Sequence, residues 1–525
     1  MNGRASQVIP IHPASGEDVD DPARRRFLHL MAASLALAGS ACSGPPPEEI
    51  RPYVRMPEAV LPGQPTFYAT TLVRRGYGLG VLVESNMGRP TKVEGNPAHP
   101  ASRGATDVFA QAEVLQFWDP DRSQTPWQVG QITTWEAVRS FLAERGAALR
   151  PNSGAGLRVL TGAMTSPTWA AQWQGLLREF PAARWHCWEP LHDDGAFRAA
   201  GLAWNRPADT VLHLDKARVV ASFGADFLGQ AGEPGAVAYA RDFAALRRQP
   251  ERPSRLYAVD IAASLTGANA DQRISLPPAE ADRLVWRLAA ALGVGEGAGS
   301  APHAEAARWE AALARELNAH RGEGLLVAGP FLQPETRALV HLINHRLGNA
   351  GRTMDYLPPA ELAPGSHADS LAALVKDMEA GLVDTLLILG CNPVYASPAG
   401  LGFPEALGRV AHSIHAGLYR DETGLACTWH LPLAHDFEHW SDVRAYEGSL
   451  SVVQPVIRLL YGARSAREIL SMLGSGEPAS DYEAVRRALA PLIPGGGGDF
   501  EAGWNRVLAE GVVAGSAPPP PPPPP

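Results

Sequence analysis

The chain has 525 residues, a formal net charge of −9, 45% hydrophobic residues and 19% charged residues. That length is too great for one simple core and predicts two or three domains. The composition argues against a disordered chain, and the acidic balance against a nucleic-acid or anionic-membrane binder. The four cysteines, Cys42, Cys187, Cys391 and Cys427, form no C-x-x-C pair. A disulfide framework or a cysteine metal site local in sequence is therefore unsupported.

Arg24 and Arg25 stand just ahead of Phe27 and Leu28. The apolar run 28–38 is short of the ~20 residues a membrane-spanning helix needs. This is the pattern of a twin-arginine export signal, so residues 1–42 are expected to be a signal segment. The expected location is the periplasmic face of the cytoplasmic membrane. Gly39-Ser40-Ala41 precede Cys42. Either a signal peptidase cuts there, or a lipoprotein peptidase does and leaves a lipid on Cys42; a single acyl chain anchors only marginally. Residues 43–65 are a proline-rich, polar leader.

From 66 to 126 the chain is short-stranded, with a hairpin turn expected at Gly88-Arg89, and is assigned to a β-rich amino-terminal domain. Strand and helix then alternate. Strands are expected over Leu157–Gly162, Arg218–Phe227, Arg255–Ile261, Gly324–Pro330 and Thr385–Pro393, and helices over Thr168–Phe180, Ala279–Leu292 and Glu335–Leu347. This order predicts an α/β fold with doubly wound parallel sheets buried on both faces. The lobes are placed at 127–290 and 291–470, followed by a helical, Gly/Pro-rich tail at 471–525 that ends in a proline run. Open α/β sheets bind ligands at the carboxyl ends of their strands. The glycine turns there are Gly162, Gly224-Ala225-Asp226, Gly329-Pro330 and Gly390-Cys391-Asn392-Pro393. Gly224, Asp226, Asn392 and Pro393 are the cleft candidates.

The segment "GRPTKVEGNPAHPASRGATDVFAQAEVLQFWDPDRSQTP" (88–126), with "TGANADQRI" (266–274), "LLILGCNPVY" (386–395) and the stretch 421–455, resembles the molybdopterin oxidoreductase family. In detail it is most similar to the molybdopterin-like, cofactor-lacking subunit of alternative complex III. The resemblance runs from about residue 66 to 462. It implies the family's fold: a small β-rich domain followed by doubly wound lobes.

Several positions depart from the family pattern. Asp107 stands where the resemblance places the last cluster-binding cysteine, and Phe109 where it places a lysine. The earlier cysteine positions fall in 71–80, which has none. One carboxylate does not replace four thiolates. Cys187 is the only cysteine in the zone of the usual molybdenum ligand. The turn that reads P-G-T-D in the family is here Pro277-Pro278-Ala279-Glu280, without the glycine that lets backbone approach a pyrophosphate. No cofactor bound by this chain is expected: no catalytic residue, no metal ligand, no iron–sulfur site and no molybdopterin.

His341 and His345 lie one helical turn apart, but Leu342 stands where a zinc protease needs glutamate. His430, His435 and His439 with Asp436, Glu438 and Asp442 form the densest titratable stretch. It reads as a proton relay, a weak metal site, or a polar loop anchored by Trp429 and Trp440 against a partner. Cys391 reads as a small buried residue. The expected function is a non-catalytic subunit of a periplasm-facing, quinol-oxidising electron-transfer complex. Its implied partners are an iron–sulfur (ferredoxin-like) protein, c-type cytochromes and a polytopic quinol-binding membrane subunit. The alternatives are an active molybdenum oxidoreductase and a periplasmic lipoprotein that binds a small molecule.

Overall fold

Strands Thr66–Arg74, Tyr77–Asn86 and Arg89–Gly95 form an antiparallel sheet. Its second turn is Met87-Gly88, both at positive φ (55° and 77°). Two such residues give a turn whose twist matches the flanking strands. The hairpin expected at Gly88-Arg89 is thus present, one residue earlier. Leu72, Val81, Val83 and Val93 on the inner face pack against Phe117 and Phe437. This computed structural model describes residues 61, 63–229, 234–249, 251–296, 299–493 and 500–521. Arg24, Arg25, Phe27, Leu28 and Cys42 lie outside them.

Two parallel sheets follow. The larger has seven strands in the order Gln131–Ile132, Trp127–Gln128, Trp429–Pro432, His412–Gly417, Thr385–Leu389, Leu157–Thr161, Arg184–Cys187. Its last five are parallel and the first two form an antiparallel hairpin at the edge. The smaller has four parallel strands in the order Gln272–Ser275, Arg255–Asp260, Val219–Phe223, Gly324–Ala328. Leu157–Thr161, Val219–Phe223 and Thr385–Leu389 are buried at every residue, as strands covered on both faces should be. Helices Ala304–Ala319 and Pro334–Leu347 supply Trp309, Leu313, Leu339 and Ile343 to the core over the smaller sheet.

The lobes do not divide at residue 290. The smaller sheet spans that boundary, and the larger draws strands from both 127–187 and 385–432. The second lobe is therefore inserted within the first, because the parallel partner of Leu157–Thr161 is the distant strand Thr385–Leu389. The chain leaves the larger lobe through residues 188–193 and returns through 358–366. A β-pair missed by the sequence reading, Asp209–Leu212 with Met354–Leu357, lies just inside these crossings.

Candidate functional site

Each parallel sheet has one switch point, where crossovers run to opposite sides, and each opens into a cavity there, as open α/β sheets generally do. In the smaller sheet it falls between Val219–Phe223 and Gly324–Ala328. The turns that follow, Gly224 to Phe227 and Gly329 to Phe331, line a cavity of about 830 Å³. Gly329 approaches the other turn so closely that a Cβ on it would sit 2.0 Å from the Gly224 carbonyl oxygen. Gly224 itself holds φ +67°, a conformation that favours glycine. In the larger sheet the switch lies between Leu157–Thr161 and Thr385–Leu389, and Gly162 to Ser166 with Leu389 to Asn392 line a second cavity of about 490 Å³. All four glycine turns picked from the sequence therefore sit at the two crevices.

The individual candidates fare differently. Gly224 and Asp226 line the larger cavity, but Asp226 Oδ1 already accepts the Thr266 N–H at 2.8 Å. Asn392 lines the smaller one, and its side chain is tied to Thr423 Oγ1 (2.7 Å) and Glu422 Oε2 (2.7 Å). Pro393 opens the short helix Pro393–Ala396 and is buried. Arg75 lines both cavities, and its guanidinium donates to the Leu191 carbonyl.

The larger cavity has an apolar rim, formed by the exposed side chains of Val108, Phe109, Leu191, Leu265 and Phe331. One wall is ionic. His192 Nδ1 lies 2.6 Å from Asp194 Oδ1, and its Nε2 lies 3.4 Å from Glu361 Oε2. His367 Nε2 is also 3.4 Å from Glu361 Oε2, and the two imidazoles stack with centroids 3.7 Å apart and planes 7° from parallel. Burial works against the His192 charge. Asp194 and Glu361 outweigh it and hold that imidazole at about 9. Burial likewise opposes ionisation of Glu361, and the two histidines hold it down at about 2. Beside them burial pushes Asp209 up to about 6, with the Glu361 charge adding to the shift. None of His192, Glu361 and His367 was legible in the sequence as a site. They come from separate segments, and the only local signal is the run His192-Asp193-Asp194.

These three residues place ligand atoms within 4.8 Å of one another, close enough for a metal. Their orientation is wrong for one. An imidazole lone pair lies in its ring plane, and two nearly parallel, stacked rings cannot both aim at one ion. His367 Nδ1 also accepts the Glu189 N–H at 3.1 Å, so in the neutral ring the proton sits on Nε2 and no lone pair remains there. The cluster is a proton site.

The smaller cavity is chemically different. His415 and His430, in register on neighbouring strands, face each other Nδ1 to Nδ1 at 3.0 Å, and His430 Nε2 meets Ser123 Oγ at 2.7 Å. Burial lowers both histidines, His430 to about 3, so both are neutral. A Cβ on Gly424 would lie 2.9 Å from His430 Nδ1 and one on Gly417 2.6 Å from His415 Cε1, so two glycines make room for the pair. The titratable stretch 430–442 is dispersed. His435, Asp436, His439 and Asp442 face this cavity, whereas Glu438 is buried in an ion pair with Arg122 (2.6 Å, side chains 0% and 1% exposed). His435 and His439 lie on a turn, with His439 Nδ1 3.0 Å from the His435 carbonyl oxygen. Trp429 stacks on Phe141 inside the core. His341 is half-buried and lines the larger cavity with its Nδ1 3.2 Å from the Tyr356 hydroxyl, whereas His345 packs on Trp204.

No protein-family model matches the chain. It is 25% identical over 453 residues to the menaquinone reductase molybdopterin-binding-like subunit of Nitratidesulfovibrio vulgaris, a match that covers 76% of this chain and 63% of that protein's length. Its structure resembles acetylene hydratase from Pelobacter acetylenicus with a TM-score of 0.56 and 11% identity, over 78% of this chain and 69% of that one. The fold is that of the molybdopterin oxidoreductases. The resemblance to molybdopterin proteins read from the sequence holds at the level of the fold, a small antiparallel sheet with parallel-sheet lobes.

The residues that a molybdopterin oxidoreductase would use for its cofactors do not fit them here. Asp107 Oδ1 caps the helix Val108–Phe117 by accepting the Ala110 N–H (2.8 Å), and Oδ2 is ion-paired with Arg74. Arg74 comes from the stretch where cluster cysteines were sought, and its guanidinium lies 4.6 Å from the Phe109 ring centroid. Both carboxylate oxygens are thus engaged by the protein. Cys187 lies outside both cavities, and burial pushes its thiol up to about 12, far from the thiolate a metal needs. The helix Pro278–Ala291 begins with Pro277 as cap and Pro278 as first residue. Two of the N–H groups with which a helix start holds a diphosphate are missing.

Proposed function

We propose that the chain is a molybdopterin oxidoreductase-like subunit of a quinone-linked electron-transfer complex, one that binds no cofactor and carries no catalytic site of its own. The carrying observation is the Arg74–Asp107–Ala110 network, which occupies the position where the resemblance places the last cluster cysteine. Its similarity to a subunit of a menaquinone reductase supports membership of such a complex. In this reading the electrons travel through partners: an iron–sulfur (ferredoxin-like) protein, c-type cytochromes and a polytopic membrane subunit that binds the quinol. The complex is of the alternative complex III type and oxidises quinol at the periplasmic face of the membrane. The twin-arginine segment exports the chain folded, together with its cluster-bearing partner. Among the described residues no helix is long and apolar enough to cross a membrane. In this reading partners hold the chain at the membrane.

The test is co-purification in mild detergent from the native membrane, followed by quinol oxidation assays on the isolated complex. The reading expects cytochromes and an iron–sulfur protein in fixed ratio to this chain, and no turnover by the chain alone. A chain that purifies without partners and turns over a substrate contradicts it.

A further inference from the structure

The ionic wall of the larger cavity lies where the chain crosses between the lobes. The outgoing crossing, 188–193, carries His192 and Asp193 and leads into Asp194. The return crossing, 358–366, carries Glu361 and Ser366 and leads into His367. Five polar contacts of the cluster join one crossing to the other. Asp194 accepts from Ser366 Oγ (2.8 Å), the His367 N–H (2.9 Å) and the Ala368 N–H (3.1 Å), and so caps the helix His367–Glu379 from the opposite crossing. Glu189 N–H reaches His367 Nδ1 (3.1 Å), and His192 faces Glu361. Four further bonds, from three residues, tie the crossings to their surroundings. Arg337 holds Asp193 in a two-toothed pair (2.6 and 2.6 Å), Asp209 accepts the Ala360 N–H (2.9 Å), and the Tyr77 hydroxyl donates to Glu361 (3.2 Å).

We propose that this cluster is a protonation-dependent latch on the hinge between the two sheet lobes, and that it sets the opening of the larger cavity. The chemistry follows from the proton positions. His367 accepts at Nδ1, so its neutral ring carries the proton on Nε2, which lies 3.4 Å from Glu361 Oε2. His192 lies between two carboxylates, 2.6 Å from Asp194 Oδ1 and 3.4 Å from Glu361 Oε2, and this geometry favours its proton. With Nδ1–H kept on Asp194, loss of that proton leaves a lone pair on His192 Nε2 pointing at the Glu361 carboxylate. Attraction then becomes repulsion across the two crossings. The groups that face His192 and Glu361 are Asp194, His367, Tyr77 and Asp209, and the Arg337 guanidinium is occupied by Asp193.

The sign is set by His192, whose folded value of about 9 lies above its ordinary 6.5. Its contribution is complete below about 6.5 and disappears as pH rises through about 9. Glu361, held near 2, contributes above about 4.5 and fails as pH falls towards 2. The latch is thus closed across the acid-to-neutral range and opens on the alkaline side. This goes beyond the proposed function and does not depend on whether the chain sits in a complex.

Hydrogen–deuterium exchange on the full chain, as isolated, tests it. Glu361→Gln keeps the shape and removes the charge; His192→Phe keeps a ring and removes the proton. Either change is expected to quicken exchange in 188–193 and 358–366 roughly tenfold or more at pH 7, with strands Val219–Phe223 and Thr385–Leu389 unchanged. The wild-type chain taken from pH 7 to above 9.5 should show the same local excess, after correction for the intrinsic rate, without any variant having to fold. Unchanged exchange in both crossings, or an equal rise across the whole chain, overturns the proposal.

Discussion

The two crevices have the same topology and opposite chemistry. Each sits at the switch point of a parallel sheet between two glycine turns. The larger is walled by a charged imidazole between ionised carboxylates and rimmed by exposed apolar side chains. The smaller is lined by His415, His435 and His439 with Asp436 and Asp442, and His415 backs onto the buried His430. The backbone fixes where a ligand site lies, and the side chains decide whether any chemistry happens there.

The sharpest way to break this comparison is at the smaller crevice. Glu438 receives Arg122 Nη2 (2.6 Å), the His435 N–H (2.9 Å) and the Leu460 N–H (2.9 Å). Glu438→Ala strands a fully buried guanidinium and is expected to cost about 3–5 kcal/mol in urea unfolding; a loss under about 1 kcal/mol would show that water replaces the carboxylate. At the larger crevice Gly329→Ala drives a methyl into the Gly224 carbonyl. It should cost about 1–3 kcal/mol and narrow the cavity. Its counterpart Gly390→Ala meets nothing within 4 Å and suffers only its φ of +71°, so about 1 kcal/mol is expected. Equal costs at the two glycines, read by urea unfolding, would remove the asymmetry between the turns. The smallest effect concerns the thiols. Burial pushes Cys187 and Cys427 up to about 12 and Cys391 upward as well. All three should resist iodoacetamide at pH 8 until the chain unfolds; rapid labelling seen by peptide mass spectrometry would show that the smaller crevice is open to Cys391.

What could be read beforehand follows the physics of each signal. The buried strands show as short apolar runs and the glycine turns as breaks, so Leu157–Thr161, Val219–Phe223 and all four cleft turns were found. The lobe boundary was missed because strand pairing is non-local. Nothing near Leu157 says that its partner is Thr385. The resemblance places Asp107 at a cysteine position, but its partner Arg74 is not legible, since an ion pair between strand and helix leaves no spacing pattern. The hinge cluster was missed for the same reason, with His192, Glu361 and His367 brought together only when the chain returns to the larger sheet. Asp209–Leu212 and Met354–Leu357 are four-residue strands, too short to announce themselves.

The most direct test of the central claim is elemental. The complex, isolated in mild detergent from its own membrane, is assayed for molybdenum, iron and haem in one fraction and normalised to this chain. A cofactor-free subunit held among redox partners gives haem and iron without molybdenum. Molybdenum near one atom per chain contradicts that reading and makes the chain an enzyme.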